Sequence, residues 1–320
     1  MAREAGVSQA TVSYVLNNTP HQKIPEATRA KVLEAATRLR YSPSAAARTL
    51  VRGRSDVVLG LLPADLPPHP QFTALVEHLS AALGEAGYTL VTHPWSRDRR
   101  PVAAVWTAIA PVAVIALHLD AEEVAAMRDA GVAIVQQLYG GSDALARYSR
   151  DVQREIVDVQ VGALVDAGHR QLGYGAPSDE RLQQEASARL EELRQVCAER
   201  ELPEPVVLRF GPDVDEAADA VIAWRSTGVT AVCAYDDTVA LTVLAGLRAH
   251  RLTAPGDFAV VGLYDLPIAR ISDPPLTTVA IDSEAMARHA ATVLLRRIDG
   301  RPAPRRGRPR VAQLISRKTV

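Results

Sequence analysis

Apolar positions near the start of the chain recur at helical spacing. Val12, Val15 and Leu16 fall at i, i+3 and i+4, which predicts a helix over Gln9 to Leu16 with one apolar stripe. Ser8 stands before it as an N-cap whose hydroxyl can accept from an orphan backbone N–H. A stub of helix over Ala2 to Ala5 precedes it and stops at Gly6. Ile24-Pro25-Glu26 opens a third helix, with proline in the first turn and an acid beside the positive end of the dipole. Val32, Leu33, Ala36 and Leu39 make its expected packing stripe. The second helix turns Gln9, Ala10, Ser13, Tyr14 and Asn17 away from its own stripe, a face that is compact, mostly polar and uncharged. Helix, tight turn and capped helix with such a face is the helix-turn-helix layout, in which hydroxyls and amides reach base edges and phosphates in the major groove. A plain three-helix bundle shares the spacing.

From Val57 the rhythm changes. Apolar runs at Val57 to Leu62, Tyr88 to Val91, Val112 to Leu117 and Val132 to Gln136 read as buried strands. Gln171 to Tyr174, Val206 to Arg209, Ala231 to Ala234 and Ala259 to Gly262 continue the series. Helical lengths separate them, as in Phe72 to Ala86, which ends at Gly87. Repeated strand–helix units imply parallel sheets covered by helices, an α/β body built as one large sheet or as two lobes.

Composition narrows the possibilities. A chain of 320 residues with 48% hydrophobic content has room for two packed units and a small third. Two cysteines, Cys197 and Cys233, exclude a disulfide framework and show no metal-ligand spacing. No signal-like segment or run of about 20 apolar residues occurs, so membrane spanning is disfavoured and a cytoplasmic location is expected. The net charge of −1 hides an asymmetry. Residues 1–54 carry nine Lys/Arg against three acids, a net +6, which leaves −7 for the remainder. A basic head on an acidic body suits a DNA-binding module fused to a domain that stays off DNA.

The residues of the head then carry a resemblance. The run from Ala2-Arg3-Glu4-Ala5-Gly6-Val7-Ser8-Gln9-Ala10-Thr11-Val12-Ser13 and the run Ile24-Pro25-Glu26-Ala27-Thr28-Arg29 resemble the head of the lactose-repressor/galactose-repressor family of bacterial transcription regulators. Tyr41 to Leu50 resembles that family's hinge, which becomes helical on operator DNA. The resemblance implies base reading by Gln9, Ala10 and Tyr14, and backbone positioning by Ser8, Thr11, Ser13 and Asn17. It places Thr28, Arg29 and Arg48 among the DNA-contacting positions and makes Leu50 an apolar wedge at the palindrome centre. The match starts part-way into the family's first helix, so a start upstream of Met1 is expected.

Further matches run to the last residues: Gly168-His169-Arg170, the stretch Ala234 to Leu241, Val260-Val261-Gly262, the stretch Pro274 to Val279, and Leu314 to Arg317. They imply a helix-turn-helix head over 1–41, a hinge over 42–54 and a two-lobed effector-binding and dimerisation domain over 55–320. Lobe one would take about 55–150 plus 283–312, and lobe two about 151–282 plus the C-terminal strand. Partners implied are double-stranded palindromic operator DNA, a second copy of the chain and a small-molecule effector between the lobes, with no cofactor, metal or membrane. Carried over by position, the effector set is Phe72, Gln137, Arg189, Tyr235 and Tyr264. Arg189 matches an arginine whose planar fork clamps ligand oxygens. Gln137 stands where an acid is common, Tyr235 where asparagine is, and Tyr264 where an aspartate follows the Val-Val-Gly strand. No aromatic is expected at Gly211-Pro212-Asp213, where relatives often stack one on a sugar. Carboxylates and amides that read hydroxyls have become tyrosines, so the effector is expected to be larger or more apolar than a simple hexose, or absent. A small-molecule binding protein with impaired DNA binding is the alternative.

Enzyme chemistry finds no catalytic set. Asp236-Asp237 is expected to cap the helix that follows, and His169 to sit partly charged at a helix end. Gly173-Tyr174-Gly175 lacks the dinucleotide fingerprint, and no P-loop, GxSxG or HExxH occurs. Arg306-Gly307-Arg308-Pro309 resembles an AT-hook core, against the plainer reading of a solvated loop before the last strand.

Overall fold

The computed structural model describes residues 1–16, 23–39, 55–96, 103–304 and 307–320. Asn17, Arg48, Leu50, Arg306 and the hinge over 42–54 lie outside the described residues. The chain divides into two compact units, Met1–Asp56 and Val57–Val320.

The head has α1 (Ala2–Ala5), α2 (Gln9–Leu16) and α3 (Glu26–Arg38). Gly6, left-handed at φ 64°, closes α1 at no steric cost. The Ser8 hydroxyl accepts from Thr11 N at 3.0 Å and caps α2. Ala5, Val15, Val32 and Ala35 form the core, with Val7, Val12, Leu16 and Ile24 packed around it. The stripe of α3 is therefore Val32 and Ala35, three apart. Leu33 and Leu39, expected inside, are each 48% exposed, because the face of α3 that packs into the head core is centred on Val32 and the small Ala35. Pro25 precedes the helix as its N-cap rather than sitting inside the first turn.

The body contains two sheets. The first has order β2-β1-β3-β4 and is all parallel. Its strands are β1 (Val57–Pro63), β2 (Thr89–Trp95), β3 (Ala113–Ala116) and β4 (Val135–Gln137). Pro94, which has no N–H to give a ladder, lies on the edge strand β2. The second has order β10-β9-β8-β7-β5-β6. Its strands are β5 (Leu172–Pro177), β6 (Val206–Phe210), β7 (Ala231–Ala234), β8 (Ala259–Leu263), β9 (Thr277–Ile281) and β10 (Ala312–Ile315). All pair in parallel except β10, which runs antiparallel to β9. Helices α4 (Pro70–Glu85), α5 (Ala103–Ile109) and α6 (Ala121–Asp129) belong to the first lobe. Helices α8 (Gln183–Glu199), α9 (Val214–Ser226), α10 (Asp237–Ala249) and α11 (Pro267–Ile271) belong to the second. After β9 the chain crosses back, and α12 (Ser283–Ile298) packs on α4.

One long helix, α7 (Ala144–Asp166), joins the lobes and runs through the expected boundary near 150. Its Val152, Ile156, Val157, Val161 and Leu164 share one apolar cluster with Val58 and Ala113 of the first sheet and Val232 and Val260 of the second. A break at 150 would interrupt that stripe. Gln160, buried on the same helix, donates both amide hydrogens, to Ala234 O and Gly262 O at 3.0 Å each.

Close backbone approach decides some residues. A Cβ at Gly246 of α10 would stand 2.7 Å from the backbone of Ala217 on α9. Gly246→Ala is therefore expected to destabilise the body by about 1–3 kcal/mol through overpacking, read as a lower urea midpoint at unchanged slope. The acid pair divides its roles. Asp236 caps α10 by accepting from Val239 N at 2.8 Å, as expected. Asp237 does not cap. It accepts from the Thr278 hydroxyl and from Leu266 N at 2.6 Å, and burial pushes its pKa up to about 6.

Candidate functional site

Loops after the strands of both sheets surround a cavity of about 350 Å³. His69, Gln71 and Phe72 come from the segment after β1, Leu117 from after β3 and Tyr139 from after β4. The second lobe contributes Ser178 after β5, Phe210 and Pro212 at the end of β6, Tyr235 after β7 and Tyr264 after β8. Ligands of open α/β sheets bind at these carboxyl ends, and the volume suits a small molecule. Most of the wall is apolar, including Leu66, Leu75, Ile156, Leu182 and Met286.

Phe72, Tyr235 and Tyr264 line this cavity, whereas Arg189 and Gln137 do not. Arg189 is 0% exposed and its donors are taken by the protein. Nε donates to Gln153 Oε1 at 2.8 Å, Nη1 to the Tyr235 carbonyl, and Nη2 to Glu185 Oε1 at 2.7 Å and Tyr264 Oη at 3.2 Å. The guanidinium also lies over the Tyr235 ring, 4.6 Å from its centroid. Burial works against its charge, but the oxygens of Tyr264, Glu185, Tyr174 and Tyr235 more than offset this and hold its pKa well above the ordinary value. The expected ligand clamp is thus an internal hub, roofed by the two tyrosines that replace smaller residues. Gln137 turns its side chain to Leu119 N, which donates to Oε1 at 2.7 Å. That bond serves the turn after β3 and explains its absence from the wall.

Sequence reasoning missed several wall residues. Phe210 immediately precedes Gly211 and supplies the aromatic that was not expected there. Tyr139 follows β4 and could have been found by the strand-end rule. Glu185 and Gln153 lie on helices and carry no such signal. Glu185 accepts from Tyr264 Oη at 2.8 Å and Tyr235 Oη at 3.1 Å, which with Arg189 makes one connected network. Burial raises the pKa of Tyr139, Tyr235 and Tyr264, so all three are neutral phenols. Tyr264 sits at φ 94° and Asp265 at φ 48°, a sparsely populated backbone held by Tyr264 N donating to Val279 O at 2.7 Å. Asp265 pairs with Arg317 and Arg270.

His69 caps α4, its Nδ1 accepting from Gln71 N at 3.3 Å. Its Nε2 is buried without a hydrogen-bond partner and lies 3.9 Å from Asp236 Oδ2. Gln71 Nε2 is likewise buried and unpartnered. Burial lowers the His69 pKa and raises that of Asp236. His169 lies just past α7 and shares a hydrogen with Thr230 Oγ1 at 2.9 Å; burial lowers its pKa, which works against the partial charge expected at a helix end. Cys197 and Cys233 are buried free thiols. Among the described residues no His/Cys/Asp/Glu group could hold a metal ion, and no helix is long and apolar enough to cross a membrane. Arg308 pairs with Glu155, which also accepts from Val311 N and Ala312 N at 2.7 and 2.9 Å, so this half of the AT-hook-like run is committed to the body.

On the head, Gln9, Ala10, Ser13 and Tyr14 form the exposed side of α2, with Tyr14 37% exposed. Thr11 shares a hydrogen with the capping Ser8 Oγ at 2.9 Å. Thr28 and Arg29 are half-buried in the first turn of α3.

Residues 1–44 match the family model described as bacterial regulatory proteins, lacI family, and residues 161–320 match a periplasmic binding protein-like domain. The transcriptional regulator CelR of Thermobifida fusca is 31% identical, over 94% of this chain and 91% of its own. The repressor PurR of Vibrio parahaemolyticus is 28% identical over 100% and 97%, and the regulator GalR of Escherichia coli 29% over 95% and 90%. The lac repressor dimer bound to operator and the anti-inducer ONPF has the same fold, with a TM-score of 0.70 at 21% identity over 99% of this chain and 97% of its own. A CelR–cellobiose complex superposes with a TM-score of 0.64 at 24% identity over 100% and 98%.

Proposed function

Because the chain belongs to the lacI family of bacterial regulatory proteins, and is thus a DNA-binding transcription regulator, we propose that it is a repressor that binds a palindromic operator as a homodimer. The observation that carries this reading is the exposed, uncharged face of α2 on a Ser8-capped helix in a head of net charge +6. Gln9, Ala10 and Tyr14 read base edges, while Ser8, Thr11 and Ser13 hold the phosphate backbone. Basic residues of the head supply affinity that falls steeply with salt, since each phosphate contact releases counterions. A small molecule in the 350 Å³ cavity changes DNA affinity by coupling between the two sites. The chain acts as a regulator with no catalytic step of its own.

Selection of duplexes from a random pool at two salt concentrations tests this. Enrichment of a palindrome that weakens with salt is the expected result; no enrichment at either concentration would sink the proposal. Tyr14→Ala is expected to relax preference at its base pair by about 1–3 kcal/mol, seen as a loss of discrimination at one symmetric pair of positions in the selected pool.

A further inference from the structure

The cavity specifies more than a size. Its charged groups are largely matched from within: Glu185 by Arg189 at 2.7 Å, and Asp179 by Arg181. The phenols of Tyr235 and Tyr264 are engaged with Glu185, and that of Tyr139 with Ser149, while the Arg189 fork that a ligand oxygen would otherwise meet is held by Glu185 as well. What remains unspent lies together on the first-lobe segment and the start of α10. His69 accepts through Nδ1, so its neutral ring carries the proton on Nε2, a buried donor with no acceptor. Gln71 Nε2 is a second buried donor without an acceptor. Asp236 Oδ2, 3.9 Å from His69 Nε2, is too distant to serve as one. Buried polar groups are paired as a rule, and native exceptions at a cavity wall mark where another molecule completes the set.

Resting on the reading of this cavity as an effector site, we infer that its ligand is an uncharged, mainly apolar ring compound carrying a hydroxyl, whose oxygen accepts from His69 and Gln71 and whose hydrogen goes to Asp236. Each other class leaves something unpaired. An amine satisfies Asp236 and leaves both donors without acceptors. A carboxylate accepts from both donors but brings a second negative charge beside Asp236 in a water-poor site. A polyol presents hydroxyls to Leu66, Leu75, Ile156 and Met286, where they lose water without gaining partners. Tyr264 fits the same scheme. It is held in a strained conformation over Arg189, and its ring meets His69 edge-on at 4.8 Å, which orients the imidazole and screens the guanidinium from the ligand.

The chain of residues 1–320 is titrated with 2-naphthol, naphthalene, 2-naphthoate and methyl β-glucoside, with binding read by calorimetry and by quenching of protein fluorescence. 2-Naphthol is expected to bind roughly 5- to 100-fold more tightly than naphthalene, the ratio that corresponds to pairing buried donors, and more tightly than the naphthoate and the glucoside. Gln71→Leu and His69→Phe are each expected to reduce the naphthol-over-naphthalene ratio below that of the parent, each ratio being taken within one protein. If His69→Phe fails to fold, Gln71→Leu carries the test. A ratio near one in the parent chain, a ratio that survives Gln71→Leu, or tighter binding of the glucoside would each overturn the inference. Operator affinity is measured with and without 2-naphthol. A preserved ratio with unchanged operator affinity would leave the ligand class standing and overturn the effector role of the cavity.

Discussion

Arg189→Met is expected to lower the unfolding free energy of the body by about 3–5 kcal/mol, the usual consequence of removing one partner from a buried charged network. The arginine donates to four acceptors, and two of them, Gln153 Oε1 and the Tyr235 carbonyl, belong to buried residues and lose this donor once it is gone. Glu185 is partly exposed and recovers some hydration, which favours the lower part of that range. Methionine fills much of the volume, so the loss reports polar groups left unpaired rather than a cavity. Arg189→Lys keeps the charge but offers a compact ammonium in place of the planar fork, and is expected to recover only part of the stability. Chemical denaturation at neutral pH checks both variants. A loss below about 1 kcal/mol for the methionine variant would mean that water or a rearranged Glu185 replaces the fork, and the hub would not be what holds the tyrosines.

Trp224→Ala is expected to cost about 3–5 kcal/mol through the void it leaves. Trp224 on α9 is fully buried, meets Phe210 edge-on at 5.9 Å and donates from Nε1 to Val206 O at 2.9 Å. Its space exists because position 173 lacks a side chain: a Cβ there would lie 2.8 Å from the indole nitrogen. The Gly173-Tyr174-Gly175 run is therefore a packing device. Since Phe210 also lines the cavity, truncation at Trp224 is expected to weaken ligand binding along with stability. Trp224→Phe, which keeps most of the ring surface and loses the bond to Val206, should fall between parent and alanine. Thermal and urea unfolding measure the series. Equal stability of parent and alanine variants would require the second sheet to collapse onto the void.

Much of the local structure was legible because its causes are local. Ser8 caps α2 through its own hydroxyl, Gly6 ends α1 by its freedom at positive φ, and apolar runs such as Ala231–Ala234 are fully buried strands. The strand-end rule pointed to Phe72, Tyr235 and Tyr264, all of which line the cavity. Arg189 and Gln137 went the other way because position alone does not say which partner a long side chain takes. The carbonyl of Tyr235 and the carboxylate of Glu185 sit 46 and 4 residues from Arg189 in sequence, yet both lie within its reach. Leu33 and Leu39 were misplaced for a similar reason: helical periodicity allows more than one apolar stripe, and only packing against α1 and α2 selects Val32 with Ala35.

By itself the sequence determined the kind of protein this is: a basic head with an uncharged exposed helix face, an α/β body of repeated strand–helix units, and the motifs that mark the lacI family. Those properties depend on residue type, spacing and net charge, which are fully written in one dimension. The tertiary structure alone decided that α7 runs unbroken between the lobes, that Arg189 is spent inside the protein, and that His69 and Gln71 keep the unpaired donors. These follow from competition among distant groups for a limited number of buried hydrogen bonds, and that competition is settled only when the chain brings the competitors together.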